Sequence, residues 1–254
     1  ASGTVTGTGA EGILATGNDA ITVAVDNIVT GATRGLTLVG GTGGAGDINV
    51  FGTGGFVGGT GDAANIKNAG SGNVTVNIAG ASSSTGGEGI VVRDTAAGGS
   101  ISVTTGSVTA ATASKDGIDV QTQTQTGDVT IVANGDINAG NAGIVAALIP
   151  GGATGNVSVT ANGAIDARFG IDAENFGSGD TQVTAVGPIT ATTGNGIFAK
   201  TTGGTVSVSA GDVSAVSNTG IIARQTNAAG AGPIFVGAGN VSGSGSRRPI
   251  REPA

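Results

Sequence analysis

Apolar and polar residues alternate along this chain in short runs that are separated by glycine and asparagine. The segment GNVSVTANGAIDARFGIDAEN, residues 155–175, contains three such runs, which begin at Val157, Ile165 and Ile171. Alternation with a period of two is typical of β-strands, because successive side chains of a strand point to opposite faces. The pattern therefore predicts three short strands within this one segment.

The same three-strand unit recurs along most of the chain. From Ile13 to Ile221 eight steps span 208 residues, which gives a mean period of 26 residues. A glycine followed by an apolar residue marks the first strand of each unit, at Gly12, Gly35, Gly89, Gly117, Gly143, Gly170, Gly196 and Gly220. Ile66, with Asn65 in place of glycine, is assigned to the one gap in this series.

Two further columns of residues complete the unit. The second strand carries a β-branched residue at its second inward position in every unit: Val23, Val50, Val76, Val103, Ile131, Val159, Val183, Val208 and Val236. The third strand is expected to start at Ile28, Phe56, Ile78, Val108, Ile137, Ile165, Ile189, Val213 and Val241. Val5 lies eight residues before Ile13 and is interpreted as the third strand of a preceding turn.

Three strands per turn, each stacked on its equivalent in the next turn, describe an all-β fold. We expect a right-handed parallel β-solenoid (β-helix) of about nine to ten turns. An antiparallel sandwich fits the strand spacing but not the strict three-strand repeat. Residues 1–246 are expected to form a single solenoid domain, as a segment of a longer repeat array, and residues 247–254 a C-terminal tail or linker. The alternative is end-to-end assembly, since open solenoid ends expose unpaired strands.

The composition supports an all-β chain and excludes several functions. Of the 254 residues 52 are glycine, and valine and isoleucine far outnumber leucine, which suits pleated strands better than helices. Cysteine and histidine are absent, which excludes disulfides and removes the commonest zinc ligand and general base. The net charge of −7 argues against nucleic acid as a partner. No apolar run approaches the length of a membrane span, so direct membrane insertion is not expected.

Carboxylates at outward positions of the first strand are the candidates for chemistry. Asp119 and Asp172 occupy one column two turns apart, about 10 Å, near the upper limit for the two carboxylates of an inverting glycosidase. Val145 lies between them, and no arginine or lysine is expected beside them. Both are therefore interpreted as solvated surface residues, and no catalytic, cofactor-binding or metal-binding residue is predicted. Glu174 and Lys200, one turn apart, are expected to form a stabilising pair.

The predicted contact surface combines a loop with outward apolar positions. The connection between the first and second strands varies in length, and its segment ALIPGGATGN, residues 147–156, places Leu148 and Ile149 at an apolar loop tip. Variable loops on a rigid scaffold are natural contact sites. The remaining candidates are apolar residues at outward strand positions: Val91, Val145, Phe198, Ile222 and Phe235. Alternatively, a loop or tail covers the first-strand stripe, which also includes Leu14.

The tandem units, G-(D/N)-V-(T/S)-V followed by G-x-I-x-A and G-I-x-(A/V), resemble the passenger regions of Gram-negative autotransporters and related filamentous haemagglutinin-like surface proteins. The resemblance covers residues 3–243. It implies a β-helix that is exported across the outer membrane and is secreted or held at the bacterial cell surface. It also implies a role as an adhesin, an aggregation factor or a rigid stalk.

The expected function is that of a non-enzymatic cell-surface scaffold or adhesin, which needs no cofactor. Its partners would be a host surface, extracellular matrix, a glycan or another copy of itself. The alternatives are a subunit of a self-associating extracellular fibre and a carbohydrate-active β-helix enzyme, for which the columns supply no charged cluster. Ice binding would need a regular threonine array, which Asn49, Gln182 and Phe235 interrupt.

Overall fold

The chain folds as a parallel β-solenoid of about nine turns. The computed structural model describes residues 5–41, 44–95, 99–123, 126–227 and 232–244, and these ranges contain 28 β-strands and no helix. Each strand pairs in parallel with its equivalents in the adjacent turns, and the terminal strands of each sheet pair on one side only. The predicted fold class is confirmed, while the hand of the coil stays a prediction. Among the described residues there is no apolar helix of membrane-spanning length.

Three sheets run along the coil, one for each strand of the repeat. The first-strand sheet has nine strands: β2 Ile13–Gly17, β5 Leu36–Gly40, β8 Ala64–Asn68, β11 Ile90–Asp94, β14 Ile118–Thr122, β17 Ala142–Leu148, β20 Phe169–Asn175, β23 Ile197–Thr201 and β26 Ile221–Gln225. The second-strand sheet also has nine: β3 Ile21–Ala24, β6 Ile48–Gly52, β9 Val74–Ile78, β12 Ile101–Thr105, β15 Val129–Ala133, β18 Val157–Ala161, β21 Thr181–Ala185, β24 Val206–Ala210 and β27 Ile234–Ala238. The third-strand sheet has ten: β1 Val5–Gly7, β4 Val29–Gly31, β7 Phe56–Gly58, β10 Ser82–Ser84, β13 Val108–Ala110, β16 Ile137–Ala139, β19 Ile165–Ala167, β22 Ile189–Ala191, β25 Val213–Ala215 and β28 Val241–Gly243.

The core is a set of aliphatic columns inside the coil. Inward residues stack on the same kind of residue in the next turn, as Val103 does on Ile131 and Ile118 on Ile144, and all four are fully buried. A buried aliphatic side chain contributes about 1.5–3 kcal/mol relative to an exposed one. One turn alone cannot cover its own apolar residues, so the turns stabilise one another.

The register confirms the second-strand column in all nine turns and corrects the other two columns. In the first-strand sheet Ala64, not Ile66, pairs with Leu36, so the assignment of Ile66 was wrong by two residues. Both positions point inward, and a period of two cannot distinguish them. In the third-strand sheet the inward residue is Val29, and Ile28 is exposed. The interpretation of Val5 as a strand of a preceding turn is confirmed, with Val29 as its partner.

Ile78 was also misassigned, and the reason lies in a serine. Ile78 is the last inward residue of β9, and the third strand of that turn is β10, in which Ser82 pairs with Val108. Ser82 is buried, and its hydroxyl accepts a hydrogen bond from the backbone N–H of Phe56 at 3.3 Å. A polar residue therefore occupies an apolar column here, and alternation of apolar residues could not reveal this strand.

The Asp/Asn of the G-(D/N)-V motif forms a hydrogen-bonded ladder between turns. In six of the nine turns, the residue directly before the second strand accepts a hydrogen bond on its side-chain oxygen from the backbone N–H of the equivalent residue one turn later. The N···O distances are 2.7–3.2 Å. The ladder runs through Asp47, Asn73, Ser100, Asp128, Asn156, Asp180 and Thr205. These bonds continue the strand pairing into the turns, where backbone donors would otherwise rely on water.

Polar side chains also fill one corner inside the coil. The last inward position of the first-strand sheet holds, in consecutive turns, the buried residues Asn68, Asp94, Thr122, Leu148, Asn175 and Thr201. Asn175 donates from Nδ2 to the backbone oxygens of Gly155, at 2.9 Å, and Asp180, at 3.3 Å. Its Oδ1 accepts from the N–H of Gly177 at 2.9 Å. The column thus satisfies backbone groups of the first-to-second connection.

Gly170→Ala is expected to destabilise the coil. A Cβ at this position would overlap the backbone oxygen of Gly196 and come within 2.5 Å of Ile189 Cγ2. We expect a loss of about 1–3 kcal/mol in the free energy of unfolding, measured by chemical denaturation. The matched control is Gly152→Ala, where a Cβ would meet nothing within 4 Å. Equal effects of the two substitutions would contradict the steric argument.

Asn175→Ala is expected to cost about 1–3 kcal/mol, because the carbonyls of Gly155 and Asp180 and the amide of Gly177 lose a buried partner. Thermal and chemical unfolding measure this loss. Asn162→Ala serves as control, since the Asn162 side chain is exposed and hydrogen-bonds the exposed side chain of Asn134. If both variants unfold at the wild-type midpoint, the buried column does not support the corner.

Candidate functional site

Two columns of varied side chains lie next to each other along the first-strand sheet, and we call them together the corner strip. The outward column consists of Leu14, Thr37, Asn65, Val91, Asp119, Val145, Asp172, Phe198 and Ile222. The corner column precedes each first inward residue by two positions: Glu11, Arg34, Asp62, Glu88, Asp116, Ala142, Phe169, Asn195 and Thr219. The columns touch, since Asn65 donates to the carboxylate of Asp62 at 2.6 Å.

The outward column was predicted to carry an exposed apolar stripe, and the structure corrects this at Val91. Val91 is only 4% exposed, although it points outward, and it lies in register between Asn65 and Asp119. Val145, Phe198 and Ile222 are half-buried. These three residues lie in the C-terminal half of the strip and remain candidates for contact, whereas Val91 is buried and does not.

The prediction that Leu148 forms a loop tip is wrong. Leu148 is the last residue of β17, pairs with Thr122 and Asn175, and is fully buried in the polar corner column. The strand extends further than the sequence indicated. At its last inward position this turn has a leucine, where the turn before has threonine and the turn after has asparagine. Ile149 is 43% exposed and Phe235, on the second-strand sheet, is 58% exposed. Their role in binding stays a prediction.

Three carboxylates meet in the middle of the corner strip. Carboxylate oxygens of Glu88, Asp116 and Asp119 lie within 4.8 Å of one another. Asp119 is 3% exposed and paired with the guanidinium of Arg93, and Gln121 Nε2 donates to it at 3.1 Å. The expectation of a solvated Asp119 without a neighbouring arginine is therefore wrong. Arg93 lies one turn earlier, where its long side chain reaches diagonally across the sheet.

The cluster holds a proton near neutral pH. Burial, followed by repulsion from Asp119, Asp116 and Asp62, raises the pKa of Glu88 from 4.5 to about 7, against the attraction of Arg93. Burial also raises the pKa of Asp119, which Arg93 opposes. The three carboxylates are close enough to share one cation. Yet the Arg93 ion pair and a proton on Glu88 already relieve their repulsion, so the cluster is accounted for without a metal.

A pocket of about 210 Å³ opens further along the strip, lined by Phe169, Ile171, Asp172, Asn195 and Phe198. Strand register places Asp172 beside Phe198, and the backbone N–H of Gly170 donates to the Asn195 carbonyl at 3.0 Å. Asp172 Oδ1 and Asn195 Oδ1 are buried without a hydrogen-bond partner among the described residues. Sequence reasoning treated Asp172 as a solvated residue, and this too is corrected.

The electrostatic surroundings of Asp172 favour its neutral form. Burial, then Glu174, raises its pKa to about 6, while Lys200 lowers it and Asp116 adds a smaller increase. The predicted pair of Glu174 and Lys200 is confirmed, with Oε1 and Nζ 3.5 Å apart. Lys200 Nζ also lies 3.8 Å from the centroid of the Phe176 ring. The Lys200 ammonium group is therefore paired with Glu174 and the Phe176 ring.

Sequence reasoning missed the corner column altogether. Glu88, Asp116 and Asn195 were not singled out because each lies in a turn, outside the alternating strands. A signal was present, since each stands two residues before the first inward residue of its turn. The constant offset could have placed them in one column, but not shown that this column folds toward the outward column.

The strand pairing and the corner strip define the class of this protein as a parallel β-solenoid with one chemically varied edge. Comparison with protein-family models, characterised proteins and solved structures finds no match. The fold assignment therefore rests on the geometry of this chain alone.

Glu88→Gln is expected to change how stability depends on pH. Because the folded-state pKa of Glu88 lies above 4.5, the folded state binds more protons between about pH 4.5 and 7, and its contribution to stability falls as the pH rises through that window. Glutamine removes this loss, so the variant should be more stable than wild type above about pH 8, by on the order of 1 kcal/mol after solvent screening. Denaturant unfolding across the pH range measures the difference. If the free energy of unfolding varies with pH in the same way in wild type and variant, the raised pKa of Glu88 is contradicted.

Proposed function

We propose that this chain is a non-enzymatic β-solenoid scaffold that binds other surfaces through its corner strip. The observation that carries the proposal is the contrast between two sets of columns. The inward columns are mostly aliphatic and, away from the end turns, buried, whereas the strip collects half-buried Val145, Phe198 and Ile222 beside a pocket with unpaired acceptors. Surfaces that combine apolar side chains with a few unpaired polar groups are typical of binding sites.

The arrangement of carboxylates favours binding over catalysis. An inverting glycosidase needs one carboxylic acid and one free carboxylate base on opposite sides of the scissile bond. Asp119 is tied to Arg93 and Gln121, and Glu174 is paired with Lys200. Asp172 is then left without a second free carboxylate on the outward face of its strand, which supports a non-enzymatic role.

We further propose that the scaffold belongs to a secreted or cell-surface protein of the autotransporter passenger or filamentous haemagglutinin type. The tandem G-(D/N)-V-(T/S)-V units support this proposal, and the ladder explains why Asp or Asn recurs in them. The partners would be a host surface, extracellular matrix or a glycan. A second copy of the chain is the alternative partner.

Adhesion assays with strip variants test the proposal. Immobilised protein should bind to cell monolayers, matrix proteins or an array of glycans. A triple variant, Val145→Ser, Phe198→Ser and Ile222→Ser, should lose at least about tenfold in affinity, because the apolar contact area is removed. The matched control carries Thr130→Ala, Ser158→Ala and Gln182→Ala on the outward face of the second-strand sheet.

Retained adhesion by the strip variant, or equal loss in the control, would contradict the assignment of the surface. Release of reducing ends from a polysaccharide would contradict the non-enzymatic role. Sedimentation of the same proteins distinguishes self-association, which would appear as a concentration-dependent species in wild type and not in the strip variant.

A further inference from the structure

The pocket between the turns at Phe169 and Asn195 is built unlike the rest of the surface. Its apolar lining consists of two phenylalanines and Ile171, and its polar groups are one carboxylate and one amide. Its volume of about 210 Å³ is below the range of about 300–1,000 Å³ in which whole drug-sized ligands bind. It therefore suits a single chemical group on a short stem.

Both unsatisfied polar atoms in the pocket are hydrogen-bond acceptors. Asp172 Oδ1 and Asn195 Oδ1 are shielded from solvent and receive no hydrogen bond from any described residue. A buried acceptor without a donor is costly, and most native structures satisfy such atoms with protein or water. A ligand that brings several donors would relieve both atoms at once.

The aromatic walls favour a cation. Phe169 packs against the backbone of Gly194, where a Cβ would overlap its ring. The Arg168 guanidinium lies 5.9 Å from the Phe169 ring centroid, and Arg168 Nε donates to Thr193 Oγ1 at 3.2 Å. The Phe169 ring thus already has one cation beside it. Positive groups are attracted to the faces of phenyl rings.

The charges near Asp172 point the same way. Glu174 and Asp116 act on it as negative charges and Lys200 as a positive one, with Glu174 the strongest of the three. On balance this field repels anions. A quaternary ammonium is a cation but has no N–H to give, whereas a primary ammonium has three donors.

We propose that the pocket formed by Phe169, Asp172, Asn195 and Phe198 binds a primary ammonium group on an aliphatic stem. The ammonium donates to Asp172 Oδ1 and Asn195 Oδ1, and the stem lies between the phenyl rings. The inference rests on the proposed function in one respect, since the pocket opens within the corner strip. The source of the group is either a small free amine or a lysine side chain of a partner protein.

Titration with butylammonium chloride, followed by calorimetry and by heteronuclear NMR of the backbone amides, tests the inference. Butylammonium should bind in the millimolar range or tighter and shift the amide signals of Gly170 and Gly196. Neutral 1-butanol, which has the same stem, should bind about tenfold more weakly. Asp172→Asn keeps the shape and should weaken butylammonium binding about tenfold, whereas Asp166→Asn, at an exposed carboxylate, should leave it unchanged.

A second variant distinguishes binding inside the pocket from long-range attraction of butylammonium by the charge of Asp172. Phe198→Leu removes one ring face, and it should weaken butylammonium several-fold while leaving 1-butanol binding unchanged. Nα-acetyl-lysine methylamide distinguishes the two sources. Binding at least as tight as that of butylammonium identifies a lysine side chain, and weaker binding identifies a free amine.

Equal binding of butylammonium and 1-butanol would overturn the inference, as would an unchanged affinity in Asp172→Asn. Tighter binding of methyl glucoside than of butylammonium would replace it with a glycan site. These readouts are independent of adhesion. If the wild-type protein adheres but does not bind butylammonium, the ligand assignment is refuted; if it binds butylammonium but does not adhere, the scaffold proposal is refuted.

Discussion

Parallel, in-register stacking of the turns is the constraint on which the whole molecule depends. Each residue lies about 4.8 Å above its equivalent, so every column places like positions in direct contact. Apolar residues such as Val103 and Ile131 gain from this arrangement, because each covers its neighbour. Charged residues lose from it, since like charges in adjacent turns repel. Glu88 and Asp116 are such neighbours, and their repulsion adds to the burial and to the repulsion from Asp119 that raise the pKa of Glu88.

The turns obey the same constraint through their polar groups. A strand satisfies its backbone by pairing, but a turn has no regular partner, and buried backbone groups cannot stay unpaired. The Asp/Asn ladder outside the coil and the Asn/Thr column inside it meet this need from two sides. Asp128 accepts from the N–H of Asn156, and Asn175 binds the connection that follows its own strand as well as that of the preceding turn. Glycine at the start of the first strands lets backbones approach where a Cβ would overlap, as at Gly170 in β20.

The sequence was sufficient for the architecture because the constraint repeats in it. Nine β-branched residues in the second-strand column predicted a stack of turns, and the register agrees at each one. The sequence was insufficient where two registers fit the same alternation, or where a polar residue replaces an apolar one in a column. Ile66 and Ala64 both point inward, and Ser82 stands in an apolar column. In that turn Ala63 replaces the glycine that precedes the first inward residue of the first strand elsewhere. In later turns a Cβ at this glycine would overlap Val108 or Ile137 of the third strand. The smaller Ser82 occupies the equivalent third-strand position and leaves room for the Ala63 side chain.

The corner strip was beyond the reach of the sequence for a related reason. Its residues come from two separate sequence patterns, one of turn positions and one of outward strand positions. Only the folded chain brings Glu88 close to Asp119 and Asn195 close to Asp172. Where every turn carries the same residue type, stacking explains the choice. The outward first-strand column instead changes type from turn to turn, so it gains little from stacking. Side chains that stacking does not explain are those whose identity is free to follow a partner, and for this reason we place the proposed binding surface in the strip.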